Sequence, residues 1–251
     1  MNEMTYEQRR GQIEHYFDRT AVAAWEKLTS DAPVGRIRAS VRAGRDQMRA
    51  TLVSWLGEDL RGKRILDAGC GTGALAVEAA RLGAEVVAID LSPTLVNLAR
   101  ERIPAEVAHL VEFHSGDMLD KSLGHFDHVV AMDSIIHYGT EDAVNALAQL
   151  AERTSKSMVF TFAPRTPMLA LMISVGRLLP RVDRAPWLEP MAETRIAQLM
   201  KTHESLNDWK TARAQSLQWF LQIQSHGVDP FMKGKTFSKY CLLYTSPSPR
   251  D

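Results

Sequence analysis

The chain has 251 residues, enough for one domain with a full hydrophobic core, and its 30 basic side chains equal its 30 acidic ones. No net field therefore draws it to nucleic acid or to an anionic membrane, and its two cysteines make no disulfide framework, which favours a reducing, cytoplasmic location. The polar N-terminus is unlike a signal peptide, and the longest apolar stretch, residues 168–179, is too short to span a bilayer.

Residues 1–58 are predicted to form a helical arm that precedes the sheet. Apolar and aromatic side chains recur with a helical period from Ile13 to Leu28, and a second helical pattern runs from Val34 to about Leu56. The first helix must dock on the core or close over a ligand as a lid, and the hydroxyl of Tyr16 would need a partner if buried. Arginines 38, 42, 45 and 49 of the second helix indicate a solvated face or, alternatively, a rim that attracts an anionic substrate.

Residues Ile65 to Asp90 predict a strand, a glycine-rich turn, a helix and a second strand. Gly69, Gly71 and Gly73 interrupt the pattern after the first strand, where a tight turn needs backbone angles that side chains obstruct. Such a unit binds its ligand at the carboxyl ends of its strands, against bare backbone.

Two ligands compete for this turn. Gly69, Gly71 and Ala74 satisfy the dinucleotide spacing G-x-G-x-x-G/A, and Asp90 lies near the distance expected for a ribose-binding acid. Asp67, however, would repel a pyrophosphate seated at the helix N-terminus. It would suit the ammonium and sulfonium groups of S-adenosylmethionine, so the residues favour that cofactor.

The rest of residues 59–225 alternates between strands and helices, which predicts a mostly parallel sheet with helices on both faces. The expected elements are a helix after Ser92-Pro93, a strand at His109–His114, a strand at Phe126–Met132, a helix at Glu141–Arg153 and a strand at Ser157–Phe162. Two cap helices within about 166–206 would form a wall for a flat hydrophobic substrate, or ordinary core. A closing antiparallel hairpin is expected at 209–215 and 217–224, although it lacks a turn glycine.

Residues 226–251 do not continue the pattern. The periodicity disappears, and the prolines of the last eight residues cannot donate to a sheet, so this tail is not expected to supply a core strand. Residues Leu242–Asp251 also resemble the translated adapter read-through that ends some assembled environmental sequences. We therefore expect the tail to contribute nothing native.

Two sets of residues resemble known families. Asp67-Ala-Gly-Cys-Gly-Thr-Gly73 resembles the first motif of class I S-adenosylmethionine-dependent methyltransferases, which have a Rossmann-like α/β fold. More narrowly, five segments resemble magnesium-protoporphyrin IX O-methyltransferases of the bacterial type over about residues 10–205. They are His15–Ala21 with Trp25, Ile37–Arg45, Val130–Ser134, Ile136–Tyr138 and Phe160–Thr166.

The resemblance implies a set of site residues. The cofactor would be held by Asp67, Gly69, Cys70, Gly71, Gly73, Asp90, Leu91, Asp117, Met118 and Met132. His137 and Tyr16 would be catalytic and would flank the reacting carboxylate, with Tyr138 and Arg165 also on the substrate. No convincing ligand cluster for a metal is present in the sequence.

The resemblance also implies the reaction, which is methylation of one propionate of magnesium-protoporphyrin IX in chlorophyll or bacteriochlorophyll synthesis. A carboxylate is ionised at neutral pH and needs no base to act as a nucleophile. Two alternatives stay open at this point: an O-methyltransferase for a quinone-like hydroxyl with His137 as base, and a non-catalytic tetrapyrrole carrier. By family resemblance, the porphyrin-binding subunit of magnesium chelatase is an expected partner, and a location peripheral to the photosynthetic membrane is expected.

Overall fold

The computed structural model of the protein describes residues 6–19, 36–165, 188–218 and 236–245. The elements, in chain order, are α1 (Tyr6–Arg19), α2 (Arg36–Leu56), β1 (Arg64–Ala68), α3 (Ala74–Arg81), β2 (Glu85–Asp90), α4 (Pro93–Arg102), β3 (Val111–Ser115), β4 (Phe126–Ala131), α5 (Thr140–Ala151), β5 (Thr154–Phe162), α6 (Glu193–Thr202), β6 (Trp209–Gln218) and β7 (Thr236–Thr245). Short 3₁₀ helices lie at Ala108–Leu110, Lys121–Leu123, Ile135–His137 and Glu204–Leu206.

The strands form one sheet in the order β3-β2-β1-β4-β5-β7-β6. Strands β1 to β5 are parallel, and β7 runs antiparallel to both of its neighbours. The predicted Rossmann-like, mostly parallel sheet is confirmed. The strand order reverses between β1 and β4, and this is where open α/β sheets bind their ligands, beyond the carboxyl ends of the strands.

The two faces of the sheet carry separate hydrophobic cores. Successive residues of a strand point to opposite faces, so Ile65 and Leu66, both fully buried, belong to different clusters. Helix α2 packs on one face through Met48, Leu52 and Leu56, at i, i+4 and i+8. The predicted arm is therefore not one structural unit, because its second helix is a core layer of the domain.

Local signals place the helix after β2 as predicted. Helix α4 begins at Pro93, and the hydroxyl of Ser92 accepts a hydrogen bond from the backbone N–H of Leu95 at 3.2 Å. Proline suits the first helical position because the amide it lacks would have no helical partner there. Strand β3 begins at Val111, later than the expected His109, because residues 108–110 form a 3₁₀ turn.

The closing hairpin differs from the prediction. Residues Trp209–Gln218 are one continuous strand, β6, so the expected turn between 215 and 217 does not occur. No glycine stands there to supply a hairpin turn. The partner of β6 is β7, which inserts between β5 and β6 and pairs Cys241 with Phe160 on one side and with Ala214 on the other.

The prediction that the tail supplies no core strand is wrong for residues 236–245. They pair with β5 over residues 157–162 and with β6 along its length. The prolines that prompted the prediction, at 247 and 249, follow the last paired residue, so their missing N–H groups do not interrupt the ladder. Residues 226–235 and 246–251 lie outside the described residues.

Only the later part of the predicted cap falls within the described chain. Helix α6 and the 3₁₀ turn after it bury Ile196, Met200 and Leu206 in the same core as α5 and the sheet. The segment before them approaches β5, where Pro164 forms a bridge with Met191. Residues 166–187, where the predicted wall of the substrate site falls, lie outside the description. No helix within the described ranges is long and apolar enough to cross a bilayer.

Candidate cofactor and substrate site

A cavity of about 330 Å³ opens at the carboxyl ends of β1, β2 and β4. Its walls come from the glycine turn, from α2 and from the segments that follow β2, β3 and β4. The structure brings eleven predicted residues together there: Asp67, Gly69, Cys70, Gly71, Asp90, Leu91, Asp117, Met118, Met132, His137 and Tyr138. Gly73, Tyr16 and Arg165 are not among the lining residues.

The glycine turn shows why these positions lack side chains. Gly69, Gly71 and Gly73 have φ values of 91°, 53° and 79°, in the left-handed region that side chains disfavour. A Cβ at Gly69 would lie 2.4 Å from Cβ of Ser134, whereas a Cβ at Gly71 would meet nothing within 4 Å. Gly69 therefore permits the turn to pass the segment after β4, and Gly71 presents bare backbone to open space in the cavity.

Gly73 plays a different part from the one expected. A Cβ there would lie 3.0 Å from the ring of Phe113 and 3.1 Å from Cβ of Ala99. The residue caps the start of α3 and lets that helix approach β3 and α4 closely. Its place in the structure is explained by packing rather than by contact with the cavity.

Asp67, the next-to-last residue of β1, is a buried carboxylate whose hydrogen bonds are incomplete. Its side chain is 1% exposed, and Oδ2 has no hydrogen-bond partner. Burial and then the nearby charge of Asp90 raise the pKa of Asp67 to about 7, against a hydrogen bond from the backbone of Ala76 that lowers it. A buried carboxylate with one unpartnered oxygen fits a cationic group such as an ammonium and is unsuited to a pyrophosphate.

Asp90 at the end of β2 is anchored by backbone amides. Its Oδ2 accepts from the N–H of Gly71 at 2.8 Å and its Oδ1 from the N–H of Ser92 at 2.9 Å. Burial nevertheless raises the pKa of Asp90 above its usual range, although these hydrogen bonds oppose the rise. The backbone amide of Leu91 also contributes, and since a carboxylate can accept about four hydrogen bonds, Asp90 retains capacity for a ribose hydroxyl.

Asp117 is held by two residues that the sequence analysis did not single out. On α1, the hydroxyl of Tyr6 donates to Oδ1 at 3.2 Å and the guanidinium of Arg10 donates to Oδ2 at 2.7 Å. Burial, followed by Tyr138 and Asp117, raises the pKa of Tyr6 far above its ordinary value, so its hydroxyl remains a donor. The Tyr6 ring also stacks on Tyr138 with centroids 4.9 Å apart.

Helix α1 is tied to the domain at two further points. Oδ1 of Asp18 accepts from the hydroxyl of Thr94 at 2.6 Å and from its N–H at 3.2 Å, at the first turn of α4. Arg9 forms an ion pair with Glu189 at 2.9 Å. Ile13, between these contacts, lines the cavity. The helix thus covers the cavity beside Asp117, and the residues Tyr6, Arg9 and Arg10 that help to hold it there precede the predicted start of the arm helix.

The segment after β4 brings His137 and Tyr138 to the cavity. Both lie at a 3₁₀ turn and are buried, with His137 8% exposed. Asp133, four residues earlier, has φ 55°, which is unusual for a residue other than glycine. Its N–H donates to Oγ1 of Thr161 at 2.7 Å, and its carboxylate pairs with Arg45.

Arginines 42, 45 and 49 of α2 all line the cavity, so the interpretation of this stripe as a solvated face is wrong for them.

Tyr16 lies half-buried on α1, one helical turn from Ile13. Arg165 is exposed, and its N–H donates to the carbonyl of Met191 at 2.9 Å, outside the cavity. Neither residue is among those that line the cavity.

The chain is similar to several known proteins. A family profile described as "Magnesium-protoporphyrin IX methyltransferase C-terminus" matches residues 131–223, and a methyltransferase-domain profile matches residues 65–157. The chain is 50% identical to a magnesium-protoporphyrin O-methyltransferase of Rhodobacter capsulatus over 188 residues, which cover 74% of this chain and 84% of that relative. It is 31% identical to a magnesium-protoporphyrin O-methyltransferase of Synechocystis sp. over 172 residues, covering 67% and 74%.

A solved structure shares the fold. The crystal structure of magnesium protoporphyrin IX methyltransferase from Synechocystis PCC 6803 with bound SAH has a TM-score of 0.76 to this chain at 25% identity. The match covers 95% of this chain and 100% of that one. The likenesses therefore span the glycine turn, the sheet and the segment after β4 that carries His137.

Proposed function

The chain belongs to the magnesium-protoporphyrin O-methyltransferase family, and from that membership we propose that it methylates one propionate carboxylate of magnesium-protoporphyrin IX. It is an S-adenosylmethionine-dependent enzyme of class I, and the monomethyl ester is its product. The prediction of S-adenosylmethionine over a dinucleotide is confirmed.

The observation that carries the assignment is the pair of buried carboxylates at the ends of β1 and β2. Asp67 directs an unpartnered oxygen at the site of a cation, and Asp90 offers acceptors beside the bare backbone of Gly71. These residues fit the ammonium and ribose groups of the cofactor. When bound, S-adenosylmethionine supplies a methyl group made electrophilic by its sulfonium sulfur. Cys70, Leu91, Met118 and Met132 complete the proposed cofactor walls, and Asp117 accepts from the adenine amino group.

The protein's own contribution to the methyl transfer is proximity and orientation. The carboxylate oxygen forms a bond to the methyl carbon while the carbon–sulfur bond breaks and its electron pair stays on sulfur. No proton moves, because the propionate is already an anion at neutral pH. His137, buried at the cavity, orients the propionate by donating to one oxygen, which leaves the other facing the methyl group.

The remaining substrate contacts are proposals of the same kind. Tyr138 lines the cavity with its ring stacked on Tyr6, and the flat macrocycle would lie against this pair of rings. Tyr16 would supply a second donor from α1, and Arg165 would meet the substrate outside the cavity. The porphyrin-binding subunit of magnesium chelatase as a partner, and peripheral attachment to the photosynthetic membrane, are proposed on family membership alone.

The test is incubation of the purified protein with methyl-labelled S-adenosylmethionine and magnesium-protoporphyrin IX, followed by identification of the product. We expect label in a propionate methyl ester. The dimethyl ester of the same porphyrin is the matched control, since it has no free carboxylate and should accept no label. Label transfer to a catechol or hydroquinone but not to the porphyrin would instead identify a hydroxyl O-methyltransferase, and no transfer to either would identify a carrier.

A further inference from the structure

The cavity wall carries charges of both signs. The carboxylates of Asp67, Asp90, Asp117 and Asp133 line it from the strand ends, and α2 contributes Asp46 together with Arg42, Arg45 and Arg49. The three arginines stand at i, i+3 and i+7, on one face of the helix. Five carboxylates repel an anionic substrate, so a porphyrin dianion needs cations on the wall that it approaches.

Of these arginines, Arg45 is paired with the segment that follows β4. Its guanidinium forms an ion pair with Asp133, and both side chains are largely buried, at 23% and 14% exposure. Asp133 is itself fixed, because its N–H donates to Oγ1 of Thr161 and the same hydroxyl donates back to its carboxylate at 3.2 Å. Thr161 is fully buried in β5. The sheet therefore positions the Arg45 guanidinium beside the segment that leads to His137.

Arg49 is engaged differently. Its Nε contacts Glu78 of α3 at 2.5 Å, and its Nη2 contacts Asp46 of α2 at 2.9 Å. The Arg49 guanidinium is therefore shared by two carboxylates, one from its own helix and one from the neighbouring helix. Arg45 has an acidic partner, Asp133, after the end of β4, and that contact is made by one nitrogen of a guanidinium that offers five N–H donors.

The substrate of the proposed function carries two propionates on neighbouring rings of the macrocycle. One becomes a neutral ester, whereas the other stays an anion throughout the reaction. The reacting carboxylate must keep an oxygen lone pair for the methyl carbon, and a guanidinium clamped on it would withdraw that density. The carboxylate that suits a fixed guanidinium is the one that does not react.

We propose that Arg45, positioned by Asp133, binds the non-reacting propionate and thereby restricts the enzyme to the diacid. This inference rests on the proposed function and adds a specificity residue to it. The monomethyl ester lacks one of the two anions. If its free propionate occupies the acceptor position, its ester faces Arg45, and the charge-assisted hydrogen bond to the second propionate is lost. The reaction therefore stops after one methyl transfer.

The experiment compares magnesium-protoporphyrin IX with its monomethyl ester as methyl acceptors. For the parent enzyme we expect kcat/KM for the diacid to exceed that for the monoester by at least about tenfold, as for the loss of one hydrogen-bonded charge pair. Arg45→Gln should bring the ratio to within about threefold of unity, through a higher KM for the diacid. Long incubation of the Arg45→Gln variant with the diacid should accumulate the dimethyl ester, which mass spectrometry detects. Arg45→Lys keeps a cation beside Asp133 and should recover part of the preference.

Arg81→Gln is the matched control, because Arg81 is 56% exposed and pairs with Glu106 on the surface, away from the cavity. It should leave the ratio unchanged. Equal losses on both acceptors in Arg45→Gln, with Tm lowered, would show that Arg45 only supports the fold and would overturn the inference, as would an unaltered ratio. Failure of the parent enzyme to methylate either porphyrin would instead refute the proposed function.

Discussion

Replacing Asp67 by asparagine separates the effect of this carboxylate on folding stability from its effect on cofactor affinity. The folded-state pKa of Asp67, about 7, lies above its ordinary value of 3.8, so folding favours the protonated form. The contribution of Asp67 to the stability of the cofactor-free protein is then most favourable at acid pH. It falls as pH rises from about 4 to about 7, and above that it carries the full cost of the buried charge. An asparagine has no charge to bury.

The magnitude follows from the shift of about three pKa units. At 1.36 kcal/mol per unit, the ionised carboxylate costs about 4 kcal/mol at pH 8. The asparagine keeps an acceptor for the Ala76 amide but places an amide donor where Oδ2 has no partner, which costs about 1–3 kcal/mol. The net gain in unfolding free energy is roughly 1–3 kcal/mol, or at least about 2 °C in Tm. Affinity for S-adenosylmethionine should fall by about 1.5–3 kcal/mol, because the ammonium loses its counter-charge.

The assay is calorimetric unfolding of the cofactor-free protein at pH 5 and pH 8, together with titration of S-adenosylmethionine. Asp67→Asn should raise Tm at pH 8 and lose that advantage toward pH 5. Asp127→Asn is the control of opposite sign. Partial burial raises the pKa of Asp127, but contacts with Lys156 at 2.8 Å and the Arg64 N–H at 2.9 Å outweigh burial and lower it. That variant should lose stability at pH 8. A lower Tm for Asp67→Asn at pH 8, or undiminished cofactor affinity, would refute the reasoning.

Three other predictions concern the acceptor side, the arm and the tail. If His137 orients the propionate, His137→Gln should retain far more of kcat than His137→Ala, and the parent rate should not climb along a histidine titration; equal losses with such a climb would make it the base. If α1 and the following residues form a lid, deleting Gly11–Leu28 should abolish turnover and leave cofactor affinity within a few-fold, whereas full activity would exclude a lid. Removing residues 246–251 should leave Tm unchanged, while removing 236–251 should lower it by leaving the edge of β5 unpaired; equal Tm values would show that β7 adds no stability.

The cofactor half of the site could be predicted from the sequence because its determinants are local. Asp67, the glycines and Asp90 belong to one strand–turn–helix–strand unit, and the covalent spacing alone brings them to one edge of the sheet. Parallel strands end on the same side, so Asp117 and His137 could be assigned to that edge without knowledge of the strand order. Gly73 shows the limit, since only the packed structure reveals that its missing side chain accommodates Phe113.

The contacts that complete the site depend on how distant elements dock. Arg10 meets Asp117 across 107 residues of chain, and Arg45 meets Asp133 across 88. A helical period states which residues share a face, but the rotation and position at which the helix packs are set by the core beneath it. That is why the sequence leaves open whether the arginines of α2 form a solvated face or a rim for an anionic substrate, and why no local pattern marks Tyr6.

The antiparallel edge of the sheet, formed by β6 and β7, shows most clearly what local sequence predicts and what long-range packing decides. The sequence predicts a strand from residue 209 but places a turn at 216, within what is the continuous strand β6, because pairing partners are chosen by register across the whole sheet. Strand β7 reaches its place between β5 and β6 from beyond residue 235, with no local signal joining it to either neighbour. Local chemistry by itself determined the fold class, the cofactor and the carboxylates at the edge of the sheet that we propose hold it. Only the tertiary structure decided which helix covers the cavity, which arginines line it and which strand closes the sheet, because those depend on packing between segments far apart in the chain.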